Sequence, residues 1–129
     1  MNDDRSGNDA ERLVGSWRLV ALDNSDRPVG VPGEPEADGL IMYGSDGYMS
    51  AQIISPGESG DGASEYHAYF GTYSVDEAAF SVTHHRIANN HPGAPADVER
   101  RYVFLSDDVL VITPLNHQGV RLTFHRAGR

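Results

Sequence analysis

Gly39-Leu40-Ile41-Met42-Tyr43-Gly44-Ser45-Asp46-Gly47-Tyr48-Met49-Ser50-Ala51-Gln52-Ile53-Ile54 sets two apolar-rich segments on either side of four turn-forming residues. Glycine reaches positive φ without steric cost, and aspartate bonds its own backbone. Gly44 to Gly47 therefore reads as a hairpin turn joining one strand, Gly39 to Tyr43, to another, Tyr48 to Ile54. Toward the C-terminus the same punctuation recurs. His67 to Val75 turns at Asp76-Glu77 into Ala79 to Ala88, and Val98 to Leu105 turns at Ser106-Asp107-Asp108 into Val109 to Thr113. Gly119 to His125 reads as the last strand and Ser16 to Asp23 as the first. Nothing after residue 15 repeats its apolar residues at a period of 3.6. The sum is an all-β fold of eight antiparallel strands with up-and-down connectivity. One short helical turn precedes them, capped by Asp9, running from Ala10 to Val14 and ending at Gly15.

The longer connections are Asn24 to Asp38, Ser55 to Ser64 and Asn89 to Asp97, and they hold most of the prolines. Alternate hairpins of a closed sheet share an end, so these loops would ring one mouth while the tight turns close the base. An eight-stranded barrel is just wide enough to be filled by side chains or to hold one small ligand. Residues 9–129 form a single domain on this reading, and the polar, acidic residues 1–8 a flexible or disordered tail.

Composition narrows the chemistry. The 129 residues include 19 Asp+Glu, 10 basic residues that are all arginine, and no cysteine, for a formal net charge of −9. No lysine means no Schiff base and no P-loop. No cysteine removes disulfides, thiolate nucleophiles and sulfur-ligated zinc. The acidic balance disfavours nucleic acid and anionic membrane surfaces. No apolar run approaches the length of a membrane span or a signal-peptide core, so a cytoplasmic location is expected.

Gly15-Ser16-Trp17 follows the helical turn and opens the first strand, and Arg126 follows Leu122-Thr123-Phe124-His125 at the end of the last. With Asp46 to Gln52, Ala68 to Val75 and Val82-Thr83-His84-His85, these stretches resemble the bacterial and fungal lipocalin-like domain family from about Leu13 to Arg126. The resemblance implies an eight-stranded lipocalin-like barrel closed at its base by the indole of Trp17, with Arg126 packed over it. It also implies an apolar small-molecule ligand, some look-alike barrels being cyclases or isomerases of secondary metabolism. No catalytic residue is carried over from the family.

Strand alternation supplies the candidates. His84 shares a face with Phe80 and Val82, which are inward residue types, and is expected to be a general acid or base or to orient a ligand. The alternative is a core histidine tied to a neighbouring carbonyl or hydroxyl. Arg101 shares a face with Val103 and Leu105, and Arg100 with Tyr102 and Phe104. Arg101 is taken as the inward one, where beside His84 it would bind an enolate, carboxylate or tetronate-like oxygen. Tyr48, Ser50, Tyr69, Tyr73, Met42, Met49, Phe80 and Phe124 are expected to line the ligand space. Ser50 lacks the Gly-x-Ser-x-Gly context of a hydrolase nucleophile. His84 and His85 point to opposite faces, so no metal is expected. The function expected is a cofactor-independent cyclase or isomerase acting on an apolar, polyketide-like molecule. A non-catalytic carrier is the alternative, and a filled barrel serving as a structural module the third reading. A homodimer is left open.

Overall fold

The computed structural model describes residues 8–24, 37–56, 64–115 and 119–128. The expected tail up to residue 7, the loop at 25–36 and the glycine-rich loop at 57–63 lie outside the described residues. A short helix α1 (Asp9–Leu13) is followed by eight strands: β1 (Gly15–Asn24), β2 (Asp38–Tyr43), β3 (Tyr48–Pro56), β4 (Ser64–Asp76), β5 (Ser81–Asn89), β6 (Asp97–Ser106), β7 (Val109–Pro114) and β8 (Val120–Gly128). Each strand pairs antiparallel with the next, and β8 returns to β1, so the barrel is closed in the order β1 to β8. Closure removes both free edges.

The hairpin at residues 44–47 forms as its residues dictate. Gly47 has φ +90°, and the Asp46 carboxylate accepts the Tyr48 N–H at 3.0 Å. Most element ends differ from expectation by one to three residues, and two of the differences have a visible cause. The helix begins at Asp9 rather than being capped by it; the Asp9 carboxylate instead accepts the Tyr102 hydroxyl at 2.8 Å, and its N–H donates to Glu77. Strand β5 begins at Ser81, because Glu77 to Phe80 form a longer turn in which Phe80 takes φ +52°. A left-handed conformation at a bulky residue breaks the alternation and turns its ring outward.

The base of the barrel is sealed by α1 and the indole. Trp17 is wholly buried and donates from Nε1 to the Leu13 carbonyl at 2.8 Å. The Arg126 guanidinium lies 4.2 Å from the centre of the Trp17 ring system and donates to the carbonyls of Val14, Arg12 and Asp107. A partly desolvated cation–π contact contributes about 1–2 kcal/mol, and the carbonyl bonds hold the guanidinium flat against the indole. Above this plug Leu19, Ile41, Tyr43, Met49, Ala51, Val82, Tyr102, Leu110, Ile112 and Phe124 form the core, all under a twentieth exposed. Among the described residues no helix is long and apolar enough to cross a membrane.

Gly71 lets β5 bulge over β4. The pairing there jumps from Phe70 with Ala88 to Gly71 with Arg86, leaving Ile87 as the extra residue. A Cβ on Gly71 would stand 1.9 Å from the His85 carbonyl oxygen, so only glycine allows the two backbones this close. The bulge turns Ile87 outward and leaves Arg86 over the ring of Tyr69.

Candidate site: a buried histidine between two tyrosines

His84 stands opposite Tyr73 on β4 and Val98 on β6, pointing into the barrel with no exposure. The inward face of β5 is therefore as expected. Its Nε2 lies 2.6 Å from the Tyr43 hydroxyl and its Nδ1 lies 2.7 Å from the Tyr69 hydroxyl. Burial and the charges of Arg100, Arg86 and His85 lower its pKa to about 3, so the imidazole is neutral at physiological pH.

A neutral imidazole donates from one nitrogen and accepts at the other. Among the described residues the Tyr43 hydroxyl has no polar partner except His84, and a buried O–H without an acceptor is costly. Tyr43 therefore donates to Nε2, and Nδ1–H donates to Tyr69. The Tyr69 hydroxyl hydrogen is then left for a further acceptor. Burial raises the Tyr43 pKa well above the ordinary tyrosine value, so this hydroxyl keeps its proton. The Tyr73 ring packs edge-on against Tyr43 at 4.8 Å, and its hydroxyl donates to the Gly44 carbonyl.

Tyr43 and Tyr73 lie toward the base, and Tyr69, two residues before Gly71 in β4, lies toward the mouth and is only half-buried. The Arg86 guanidinium sits 5.2 Å over the Tyr69 ring and donates to the Pro95 carbonyl, from Nε at 3.1 Å and from Nη2 as well. Nearer the rim the His67 and His91 rings stack at 4.5 Å, and His91 Nε2 donates to the Tyr66 carbonyl.

The arginine on the inner face of β6 is Arg100 and not Arg101. Arg100 pairs with the buried Val82, is half-buried, and is near enough for its charge to help lower the His84 pKa and to oppose in part the rise that burial causes at Tyr43. Arg101 alternates to the outer face with Val103 and Leu105 and is exposed. Apolar Val103 and Leu105 suggested an inward face, but their exposures of 54% and 63% place them on the outer wall.

The other expected lining residues divide cleanly. Tyr69, Tyr73, Met49 and Phe124 point inward. Met42 and Tyr48 do not, at 43% and 55% exposed, because each is adjacent to or in phase against the buried Tyr43 and Met49. Ser50 lies between Met42 and Phe70 across the sheet, also on the outer face. Phe80 is 60% exposed and lies edge-on to Tyr102 from outside the strand. Tyr43, Arg86 and Arg100 went unselected. Alternation with Ile41 signals Tyr43, but the phase of β5 beyond residue 86 depends on the bulge.

On the outer face His85 bridges two strands, with Nδ1 3.1 Å from Asp97 and Nε2 2.9 Å from Ser74. These are the residue types of an acyl-transfer triad, on an open sheet surface whose backbone N–H groups are taken up by strand pairing. Among the described residues no oxyanion-binding donor stands beside Ser74, and the trio serves as a cross-strand link. Among the described residues no three metal-ligating side chains stand where they would hold an ion. No protein-family model matches the chain, and no curated protein does.

Proposed function

We propose that the barrel binds an apolar small molecule toward its mouth and promotes its cyclisation or isomerisation without a cofactor, as a cytoplasmic protein of the lipocalin-like kind. The observation that carries this reading is the fully buried, neutral His84 with both ring nitrogens bonded to tyrosine hydroxyls, the outer of which is half-buried. A packed core has no need of such a chain, since apolar residues of similar volume would cost less desolvation.

The chemistry follows from the pKa directions. His84 is held too low to take a proton at neutral pH, and Tyr43 too high to give one up. The chain therefore works as a polarised row of donors. Tyr43 supports His84, His84 Nδ1–H supports Tyr69, and the Tyr69 O–H donates to a substrate oxygen. Each bond strengthens the next in a low-dielectric interior. That arrangement stabilises an oxygen gaining negative charge as a carbonyl enolises or is attacked, while the barrel wall holds the reacting ends together. Of the roles expected for His84, general acid or base or orienting a ligand, this reading takes the orienting one, as a neutral positioning group.

A non-catalytic carrier is the second reading. What favours it is that every tyrosine or histidine with a displaced pKa in this interior is displaced away from neutrality. Native mass spectrometry and organic extraction of protein from its producing cells test the first point, whether an apolar metabolite is held. Turnover and retention of that compound are then compared in wild type and Tyr69→Phe. Turnover lost with retention kept supports the enzyme. The same compound recovered unchanged from both supports the carrier. No bound compound and no uptake of apolar dyes would leave a packed barrel.

A further inference from the structure

The chain has a formal net charge of −9, yet two arginines, Arg86 and Arg100, lie around His84. The carboxylates of β6, Asp97 and Glu99, alternate with Val98 and Arg100 and are exposed on the outer wall. Asp38 at the start of β2 is taken by Arg18, with bonds of 2.7 and 2.8 Å to an exposed guanidinium. Arg86 is spoken for by the Pro95 carbonyl and the Tyr69 ring. Arg100 is different. Among the described residues no carboxylate, carbonyl or hydroxyl accepts from it, although it is half-buried and faces the site.

A guanidinium drawn part-way out of water and given no partner costs free energy that a methionine or leucine at the same place would not. Its positive charge also acts on a neutral imidazole, and among the described residues no carboxylate bonds to it there. Both costs are recovered if the ligand supplies an anion. We infer that the molecule bound in this barrel carries an anionic oxygen, as a carboxylate or the enolate of an acidic enol, and that Arg100 is the group that anchors it beside the Tyr69 hydroxyl. The inference rests on the proposal that the interior binds a small molecule and specifies its class. Arg100 takes the part expected of Arg101 by strand phase alone. A planar fork of donors suits two oxygens of one carboxylate or a 1,3-dicarbonyl enolate, and the free Tyr69 hydrogen completes the set.

A matched pair of dyes tests this: 1-anilinonaphthalene-8-sulfonate and N-phenyl-1-naphthylamine, which share a ring system and differ by the sulfonate. Fluorescence titration of wild type is expected to show the anion bound at least about tenfold more tightly, as a charge-assisted hydrogen bond supplies. An acidic chain repels anions in general, so this preference requires a local cation. In R100Q the preference disappears, in R100K part of it returns, and in R101Q it is unchanged. Thermal melts establish that each variant is folded. Equal affinity of wild type for the two dyes overturns the inference even where R100Q fails to fold, and so does a preference that survives in folded R100Q. Binding of the neutral dye alone leaves the small-molecule reading standing and removes the anion. Binding of neither removes both.

Discussion

Lowering the pH from 7.5 to 5 should destabilise this protein through His84. The folded imidazole has a pKa of about 3 against 6.5 for the free side chain, because protonating it would put a charge in the core beside Arg100 and Arg86. Between those two values the unfolded chain binds a proton that the folded chain refuses. Stability is therefore fully present above about pH 6.5 and is lost as the pH falls toward 3. The full span corresponds to about 5 kcal/mol, and the part reached at pH 5 to about 2 kcal/mol. For a domain of this size that is a fall in Tm of about 8 °C. The assay is a pair of urea or thermal denaturation series at the two pH values, on wild type and on His84→Gln. Glutamine also offers a donor and an acceptor to the two tyrosines but has no proton to gain. Wild type should lose about 2 kcal/mol more than the variant over this interval. Carboxylate effects fall lower: Asp38, held at about 2 by its bonds to Arg18 and to the Gly39 N–H, titrates below this window. Equal pH dependence in the two proteins would refute the reasoning, and would mean that the folded imidazole reaches water or finds an anionic partner.

Three further perturbations test the architecture. Gly71→Ala should cost about 2–3 kcal/mol in denaturant unfolding, because its Cβ meets the His85 carbonyl at 1.9 Å, while Gly128→Ala, with open space around it, should leave the midpoint unchanged. Tyr43→Phe leaves the His84 Nε2 facing an apolar ring and should cost about 1–3 kcal/mol in the same assay, more than Tyr69→Phe, since Tyr43 is buried and Tyr69 only half-buried. Arg126→Met should lower stability by about 2–4 kcal/mol and shift the emission of Trp17 toward the red, since it removes both the stacked cation and the bonds that tie α1 to the base.

The strand segments and the hairpin at residues 44–47 are local properties, which is why they are legible in the chain, whereas the plug at the base is what the family resemblance implies. A turn of glycine and aspartate has few conformations open to it, and Gly47 takes the positive φ it alone tolerates well. Trp17 and Arg126 lie at the two ends of the chain, but closure brings β1 and β8 together with these two residues in register. His84 was legible too, as the polar member of a face shared with Val82. Its neighbours were harder. Ser50 and Met42 fell on the wrong wall because methionine and serine occur on either face of a half-polar strand. Phe80 left its strand because the turn before β5 extends to include it. The two arginines of β6 differ by one residue, and a one-residue difference in phase exchanges the inner and outer walls.

The amino-acid sequence by itself determined that this is an acidic, cysteine-free, all-β chain of eight strands with tight turns after β2 and β6. Those features follow from local backbone preference and a period of two, which need no partner strand to be expressed. Only the tertiary structure decided that Tyr43 and Tyr69, from β2 and β4, meet the two nitrogens of one imidazole on β5. It also decided that Arg100 faces them while Arg101 faces water. The reason is physical. A strand carries an alternation but not its phase, and phase is set when neighbouring strands lock their registers, bulges included, around a shared core.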